Sequence, residues 1–468
     1  MAMPISSSIP TMRKASKERN SISLASSPNR LAKLDLDLGE AADPEAAMAR
    51  LKGYAAHVRV GAEVSGSAAH QIAVLTLVNI LSRFALGGVT LSGMLDVPML
   101  APWPGRTLMA AVDALGGAAG EPAGDCPTAI VGTADDVVDR AIQLTFEGWR
   151  GGIVPAGAAR LNEAKGTAMS AVLAAAIGAA EIFAMLREEV ASGRRPRGLS
   201  IWRPDGDQDW LSPVGDGPPL LLLPNRLWIL GLGHLGQAFL WSLAMCPYAD
   251  RAQVSLVLQD MDDITESTAS TSILTMKAAR GRKTRDVART LEAMGFSTVI
   301  IERPFDDQFK RRPEDPSVLI CGVDNAHARS QLEAPGFPLI VEAGIGRSAQ
   351  DFQAIRLHTF PSRRKAAALW NTEMVDATGV VAQTQGYQRL RERGVDECGL
   401  ARLAGTAVGA PFVGTVAGVL MLGQILRLLH GDQVDAVIDL DLRALDARRA
   451  VPNANPLALN PGFQICDA

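Results

Sequence analysis

Between Leu227 and Cys398 the chain sets out, in order, a glycine turn, an acidic pair, a lysine, an aspartate and a cysteine. The run Leu227-Trp-Ile-Leu-Gly231-Leu-Gly233-His-Leu-Gly236 joins an apolar strand to a helix. Gly231, Gly233 and Gly236 there let the backbone turn tightly beneath a phosphate at the helix N-terminus. Asp260-Met-Asp262 ends the next apolar run, Val254–Gln259. Asp260 falls about 24 residues past Gly236, a spacing suited to a ribose-hydroxyl acceptor. Arg280-Gly-Arg282-Lys283 opens a further helix, where Lys283, with Arg282 beside it, is placed to offset phosphate charge. Asp324 follows the apolar run Val318–Val323; a carboxylate at such a strand end holds Mg²⁺ near phosphates or caps the following helix, and the two roles are compatible. Cys398 lies in the polar loop Gly394-Val-Asp-Glu-Cys398-Gly-Leu. A loop thiol near a helix start is a nucleophile when its pKa is lowered, which Asp396 and Glu397 oppose. Taken singly, each feature has a plain structural alternative: a ligand-free turn, solvated carboxylates, a surface lysine, a helix cap.

Strands and helices must alternate for these residues to converge. Strands are predicted at Leu220–Leu230, Val254–Leu258, Val299–Glu302, Val318–Gly322, Leu339–Glu342, Ala354–Thr359 and Ala436–Leu442. Helices are predicted at Gly236–Cys246, Arg282–Met294 and Pro411–Leu429. That alternation implies a parallel, doubly wound α/β sheet. The small-residue-rich run 166–186 lies over 409–429 without a gap, and Ile72–Phe84, Val89–Ser92 and Thr128–Gly132 fit an earlier copy of the same plan lacking any Gly-x-Gly-x-x-Gly. The fold expected is two Rossmann-like doubly wound halves, the N-terminal one degenerate and the C-terminal one with a complete nucleotide site. The corresponding boundaries are a disordered tail at 1–44, a degenerate domain at 45–200, a Pro/Gly/Asp-rich linker at 201–219, the nucleotide domain at 220–445 and a tail at 446–468.

The 468 residues allow two to three domains, and 47% hydrophobic content is ample for large cores. A net charge of −4 argues against a dedicated nucleic-acid binder. The five cysteines form no Cys-x-x-Cys pair, so neither a structural zinc site nor a disulfide framework is expected, and a reducing cytoplasm fits best. Met169–Leu186 approaches a membrane span in length, but its Ala/Gly content and Glu181 favour a buried helix.

Taken together, residues 225–431 resemble the ubiquitin-activating enzyme superfamily, which includes the bacterial adenylyltransferases acting on sulfur-carrier proteins for thiamin and molybdopterin. The resemblance rests on the glycine turn, Asp260-Met-Asp262, Lys283, Val323-Asp324-Asn325-Ala-His-Ala-Arg329, and Cys398 followed by Gly405 and Gly409-Ala-Pro-Phe-Val-Gly414-Thr-Val-Ala-Gly418. It implies ATP and Mg²⁺ as ligands, a ubiquitin-like protein whose C-terminus is adenylated, and thioester transfer to a cysteine. By position Asp260 would hold the ribose, Asp262, Lys283 and Arg282 would lie at the nucleotide, Asp324 would hold the metal, and Cys398 would take the acyl group. Fused members carry an inactive half whose early arginine reaches the partner half's ATP; Val58-Arg59-Val60-Gly61 sits at the corresponding place, making Arg59 the candidate. A conjugating enzyme, a homodimer and an antiviral conjugation pathway follow by analogy only.

The chain departs from that pattern after Asp262. The superfamily usually has an Asn and, three residues on, an Arg that both touch ATP; here Thr268 and Thr271 stand there, so Arg280, Arg282 or Arg59 would have to substitute. Zinc-binding cysteine pairs are absent, and Arg363–Glu397 reads as a loop or short-helix crossover. Four rival readings stand beside this one: a sulfur-carrier adenylyltransferase, a peptide C-terminal adenylating enzyme, an NAD-dependent oxidoreductase, and a non-catalytic binding scaffold.

Overall fold

The computed structural model describes residues 29–134, 139–205, 209–212, 217–276, 278–306, 308–370, 383–455, 457 and 459–466, without the side chains of Cys398 and Arg402. Short β-branched and aliphatic runs become strands, most of the parallel ones ended by a glycine or an acidic residue. In the N-terminal half these are β1 (Ala55–Val60), β2 (Gly88–Gly93), β3 (Ala118–Ala119), β4 (Thr128–Val131), β5 (Ala141–Glu147), β6 (Arg150–Pro155) and β7 (Arg197–Ser200). They form one sheet in the order β3-β2-β1-β4-β5-β6-β7, parallel from β3 to β5 and antiparallel from β5 to β7.

In the C-terminal half, β8 (Leu222–Pro224) pairs with β17 (Phe463–Ile465) as a small ribbon. The remaining strands are β9 (Arg226–Leu230), β10 (Ser255–Gln259), β11 (Ser297–Ile301), β12 (Val318–Cys321), β13 (Leu339–Ile345), β14 (Ala354–Phe360), β15 (Asp435–Asp441) and β16 (Arg449–Pro452). Their order is β11-β10-β9-β12-β13-β14-β15-β16, parallel from β11 to β13 and antiparallel beyond. The second sheet therefore repeats the strand order of the first and adds one edge strand. Both sheets are parallel-rich α/β sheets of Rossmann-like kind. Parallel order places the ends of β9, β10 and β12 on one rim, and reversal of winding between β9 and β12 opens a crevice there.

The two sheets meet through helices. Ala68–Leu81 packs on Ala168–Leu186, which packs on Pro411–Leu429, which packs on His234–Met245. Helices Ala168–Leu186 and Pro411–Leu429 both have 19 residues and coincide in the gapless register of the sequence comparison. Their small residues let backbones approach: a Cβ on Gly418 would sit 2.6 Å from the Ala238 carbonyl carbon. Both are long and apolar enough to cross a membrane, but 94% and 89% of their apolar windows are buried inside the protein, as core helices are. The face is tied by Trp241 Nε1–H donating to Thr76 Oγ1 at 3.0 Å.

Three boundaries differ from expectation. Residues 1–28 lie outside the described residues, but 29–44 are not a loose tail: Ala32–Leu38 is a helix, Leu31, Leu34 and Leu36 are buried, and the next helix, Pro44–Gly53, is capped by Asp43. What orders this segment is distant in sequence. Thr384 Oγ1 donates to Leu36 O at 2.8 Å, Tyr387 Oη to Asp37 at 2.8 Å, and Arg389 Nη1 to Asp43 at 3.0 Å, all from the crossover that carries helix Gln385–Glu392. The C-terminal segment is likewise not a tail, since it supplies β16 and β17. The linker is partly packed: Trp210 is buried, and the Pro218 carbonyl accepts from Trp149 Nε1 at 2.6 Å; residues 206–208 and 213–216 lie outside the described residues.

Candidate nucleotide site

A cleft of about 1070 Å³ opens at the carboxyl ends of β9, β10, β12 and β13. Its floor is the glycine turn. Gly231 has φ +84, which an L side chain rarely adopts, and its Cβ would lie 3.0 Å from the Val323 amide nitrogen. A Cβ on Gly236 would fall 1.9 Å from the Gly231 carbonyl oxygen, so only glycine lets helix His234–Met245 start this close to β9. Gly233, facing the cleft, has nothing within 4 Å of its Cβ position. Open space thus begins at the N-terminus of a 12-residue helix, where amide donors and the helix dipole favour an anion.

Asp260 holds the turn from β10: Oδ2 accepts from the Leu232 amide at 2.6 Å and Oδ1 from the Asp262 amide at 2.7 Å. Asp262 in turn pairs with Lys283 Nζ at 2.7 Å, and its carbonyl accepts from the Lys283 amide at 3.1 Å. Lys283 is thereby presented at the start of helix Lys283–Ala293 and lines the cleft. Arg282 does not line it; its guanidinium goes to the Met261 carbonyl and, at 3.5 Å, to Asp263.

Asp324 stands three residues beyond β12 and lines the cleft. It is not the cap of the next helix: Asn325 is, its Oδ1 accepting from His327 N at 2.8 Å and Ala328 N at 3.2 Å. That leaves the Asp324 carboxylate to the cleft. Arg329, one turn on, braces this wall. Its Nε donates to Val323 O at 2.7 Å and its Nη2 to Ala343 O at 3.1 Å, and its guanidinium stacks 4.5 Å over the Trp370 ring.

Sequence reasoning missed Arg30. It lines the cleft beside the ordered N-terminal helix, its amide donating to Ser270 Oγ at 3.2 Å and its Nη1 reaching Ala407 O at 3.5 Å. Burial pushes its pKa below the usual arginine value, and the Asp324 carboxylate acts in the opposite direction. Gly409 fixes where Arg30 lies relative to Thr271: a Cβ there would meet Thr271 Cγ2 at 2.6 Å and Arg30 Cβ at 3.4 Å. Arg30 therefore runs beside Thr271, the position at which the sequence departs from the expected arginine. Leu31 and Leu34, one face of a short helix, were the available signal for an ordered segment here.

His234 was also missed. It lines the cleft at the first position of its helix, packed so closely on Gly414 that a Cβ there would lie 2.3 Å from the ring. Its Nε2 is buried near the Ala410 and Pro411 backbone without reaching hydrogen-bonding geometry. Burial lowers its pKa from 6.5 to about 4, so the ring is neutral at pH 7.

One expected participant stands elsewhere. Arg59 lies on β1 between β2 and β4 and is not among the cleft-lining residues. Cys398 falls not in an open loop but in the first turn of helix Glu397–Gly405; its side chain lies outside the described residues. The acids beside it are engaged: Glu397 pairs with Arg391 at 2.8 Å, and Asp396 accepts from the Gly399 amide at 2.7 Å. After this helix the chain returns to the cleft at Ala407 and Gly409. Among the described residues no group of three His, Cys, Asp or Glu side chains forms a metal cage. A divalent ion here would rest on Asp324 and the phosphates it accompanies, which suits Mg²⁺.

Fold and site define a Rossmann-like α/β protein with a glycine-floored cleft on the second of two like-ordered sheets. The chain matches the BilD N-terminal domain family over residues 55–201 and the BilD C-terminal domain family over residues 223–432. It is 45% identical over 412 residues to a protein of Collimonas sp. (strain OK412) named "Bacterial E1-like protein BilD", covering 86% of this chain and 88% of that one. The chain belongs to the BilD family of bacterial E1-like proteins. Among solved structures it is similar to "TcdA (CsdL)", at 14% identity and a TM-score of 0.27, over 44% of this chain and 85% of that one.

Proposed function

We propose that the chain activates a ubiquitin-like protein: it binds ATP with Mg²⁺, adenylates the partner's C-terminal carboxylate with release of pyrophosphate, and passes the acyl group to Cys398 as a thioester with release of AMP and the thiol proton. One observation carries the reading. Arg30 and Lys283, both lining the glycine-floored cleft, supply cations to a site that also holds the Asp324 carboxylate, which does not cap the following helix. A triphosphate needs cations and a metal-holding carboxylate together, whereas a dinucleotide needs neither. Arg30 also answers the departure at Thr271, because it runs beside that residue.

The roles follow from placement. The glycine turn gives its amides to phosphate; Asp260 keeps the turn in shape and offers its remaining lone pairs to a ribose hydroxyl. Asp324 holds Mg²⁺, whose chemistry is to offset the charge that develops on the phosphates. Lys283 exchanges its Asp262 partner for phosphate oxygen. Arg30 takes the part expected of Arg59, as the cation that the N-terminal segment lends to the C-terminal site.

Thiol environments support Cys398 as the acyl acceptor. Burial pushes the thiol of Cys321 up to about 12 and that of Cys466 up to about 11, while those of Cys246 and Cys126 are also raised by burial. None of these is a ready thiolate.

The N-terminal sheet reads as an inactive copy. At the place of its glycine turn, Gly61 leads into Ala62–Ser65, and the Glu63 carboxylate folds back onto the end of β4. Glu63 accepts from the Thr133 amide at 2.9 Å and from the Thr133 hydroxyl. An internal anion thus occupies the ground that phosphate would take.

The test is ATP–pyrophosphate exchange with a ubiquitin-like protein bearing a free C-terminus. Exchange that requires this partner and disappears in Asp324→Ala supports adenylation; exchange unchanged in the variant removes Asp324 from the metal role.

A further inference from the structure

Just beyond helix Ala68–Leu81 lies Arg83, a guanidinium with 6% exposure and no carboxylate paired with it among the described residues. Burial pushes its pKa down to about 9, so it is charged at pH 7. Its Nε donates to the Asn79 carbonyl at 3.1 Å, and three further hydrogen bonds reach one loop of the other half. Nη1 donates to the carbonyls of Ala269 and, at 3.2 Å, Thr275; Nη2 donates to Ile273 O at 2.9 Å and Asn79 Oδ1 at 2.8 Å. Asn79 Nδ2 adds a bond to Ile273 O at 3.0 Å. The residue's own carbonyl accepts from Asn29 Nδ2 at 2.7 Å, immediately before Arg30.

A buried unpaired cation is a poor device for stability alone, because an apolar side chain of similar volume generally does as well or better. A planar fork of five donors does something an apolar side chain cannot: it fixes several carbonyl oxygens at set positions. The loop so fixed contributes Thr268, Thr271 and Ser272 to the cleft, and its Ser270 hydroxyl accepts from the amide of the cleft-lining Arg30 at 3.2 Å.

We propose that Arg83, although outside the cleft, is a positioning residue for nucleotide binding that sets the hydroxyl wall at 268–272 and, through Ser270, whose hydroxyl accepts from the Arg30 amide, the position of Arg30. The inference rests on the reading that the cleft binds ATP. It gives the N-terminal half a direct part in ATP affinity.

The experiment titrates the full chain with Mg²⁺–ATP and follows hydrogen exchange of the 267–275 amides without nucleotide. Arg83→Met keeps length and volume and removes the fork; affinity falls by about tenfold and the loop amides exchange faster. Arg30→Met also weakens binding, and the double variant loses less than the product of the single losses, because part of the Arg83 effect passes through Arg30. Arg83→Lys keeps the charge, reaches fewer carbonyls and gives an intermediate affinity. A lowered melting temperature with wild-type affinity and unchanged loop exchange in both Arg83 variants overturns the proposal. If Arg83→Met does not fold, wild-type affinity and exchange in Arg83→Lys overturn it equally. A wild-type chain that binds no ATP counts against the cleft reading instead, while the exchange result still decides whether Arg83 sets the loop.

Discussion

Replacing Gly236 with alanine perturbs the site at its tightest point. The added Cβ would lie 1.9 Å from the Gly231 carbonyl oxygen, whereas ordinary van der Waals contact begins at 3.4 Å. Both partners are backbone, so no side chain can swing away. The turn and the helix must separate by about 1.5 Å (3.4 − 1.9). Overpacking of this kind costs roughly 1–3 kcal/mol. The movement also breaks the 2.6 Å bond from the Leu232 amide to Asp260, a charge-assisted bond of roughly 1.5–3 kcal/mol. Together the loss is roughly 2.5–6 kcal/mol. Because the displaced amides are those facing the cleft, Mg²⁺–ATP affinity should fall at least about tenfold, the equivalent of one 1.4 kcal/mol contact. Gly233→Ala is the control, since nothing lies within 4 Å of its Cβ position; its melting temperature should stay near wild type. Gly231→Ala should fall between them, because φ +84 strains an alanine by about 1–2 kcal/mol. Thermal melts and ATP titrations of the three variants would check the order. A Gly236→Ala protein with wild-type stability and affinity would refute the reasoning.

Three further outcomes are expected. Arg30→Ala should weaken Mg²⁺–ATP binding by about ten- to a hundredfold, roughly 1.5–3 kcal/mol for a hydrogen bond to a charged group, while Arg59→Ala should leave it unchanged in the same titration. His234 should make stability pH-dependent. Its folded pKa of about 4 lies below the ordinary 6.5, so its contribution is intact above pH 6.5 and is lost as pH falls toward 4, by at most roughly 3 kcal/mol; denaturant melts of wild type and His234→Gln from pH 7.5 to 4 should converge by that amount. Cys398→Ala should retain partner-dependent ATP–pyrophosphate exchange but form no reductant-sensitive adduct with the partner on non-reducing gels, and a persisting adduct would place the acceptor elsewhere.

Much of the second sheet was legible because its strands are short apolar runs closed by glycine or aspartate, so periodicity and chemistry coincide. Helix Pro411–Leu429 keeps its predicted bounds, and Gly231, Gly233, Asp260, Asp262, Lys283 and Asp324 all line one cleft. What escaped depends on partners far away in sequence. Leu31, Leu34 and Leu36 form too short an apolar set to announce a helix, and their ordering comes from Thr384, Tyr387 and Arg389, some 350 positions on. Arg30 could be placed only once that docking was known. Arg282 sits next to Lys283 in sequence, yet helix geometry turns it toward Asp263 and away from the cleft. Arg59 was selected by position in a repeat, and β1 carries it into the first sheet rather than to the second.

The most direct test of the central claim is an equilibrium titration of the intact chain with Mg²⁺–ATP and, separately, with NAD⁺. A ligand that binds only the native state raises the melting temperature in a concentration-dependent way. The cleft described above predicts stabilisation by Mg²⁺–ATP, diminished in Asp324→Ala and in Arg30→Ala, and none by NAD⁺. Stabilisation by NAD⁺ alone would contradict it and make the cleft a dinucleotide site.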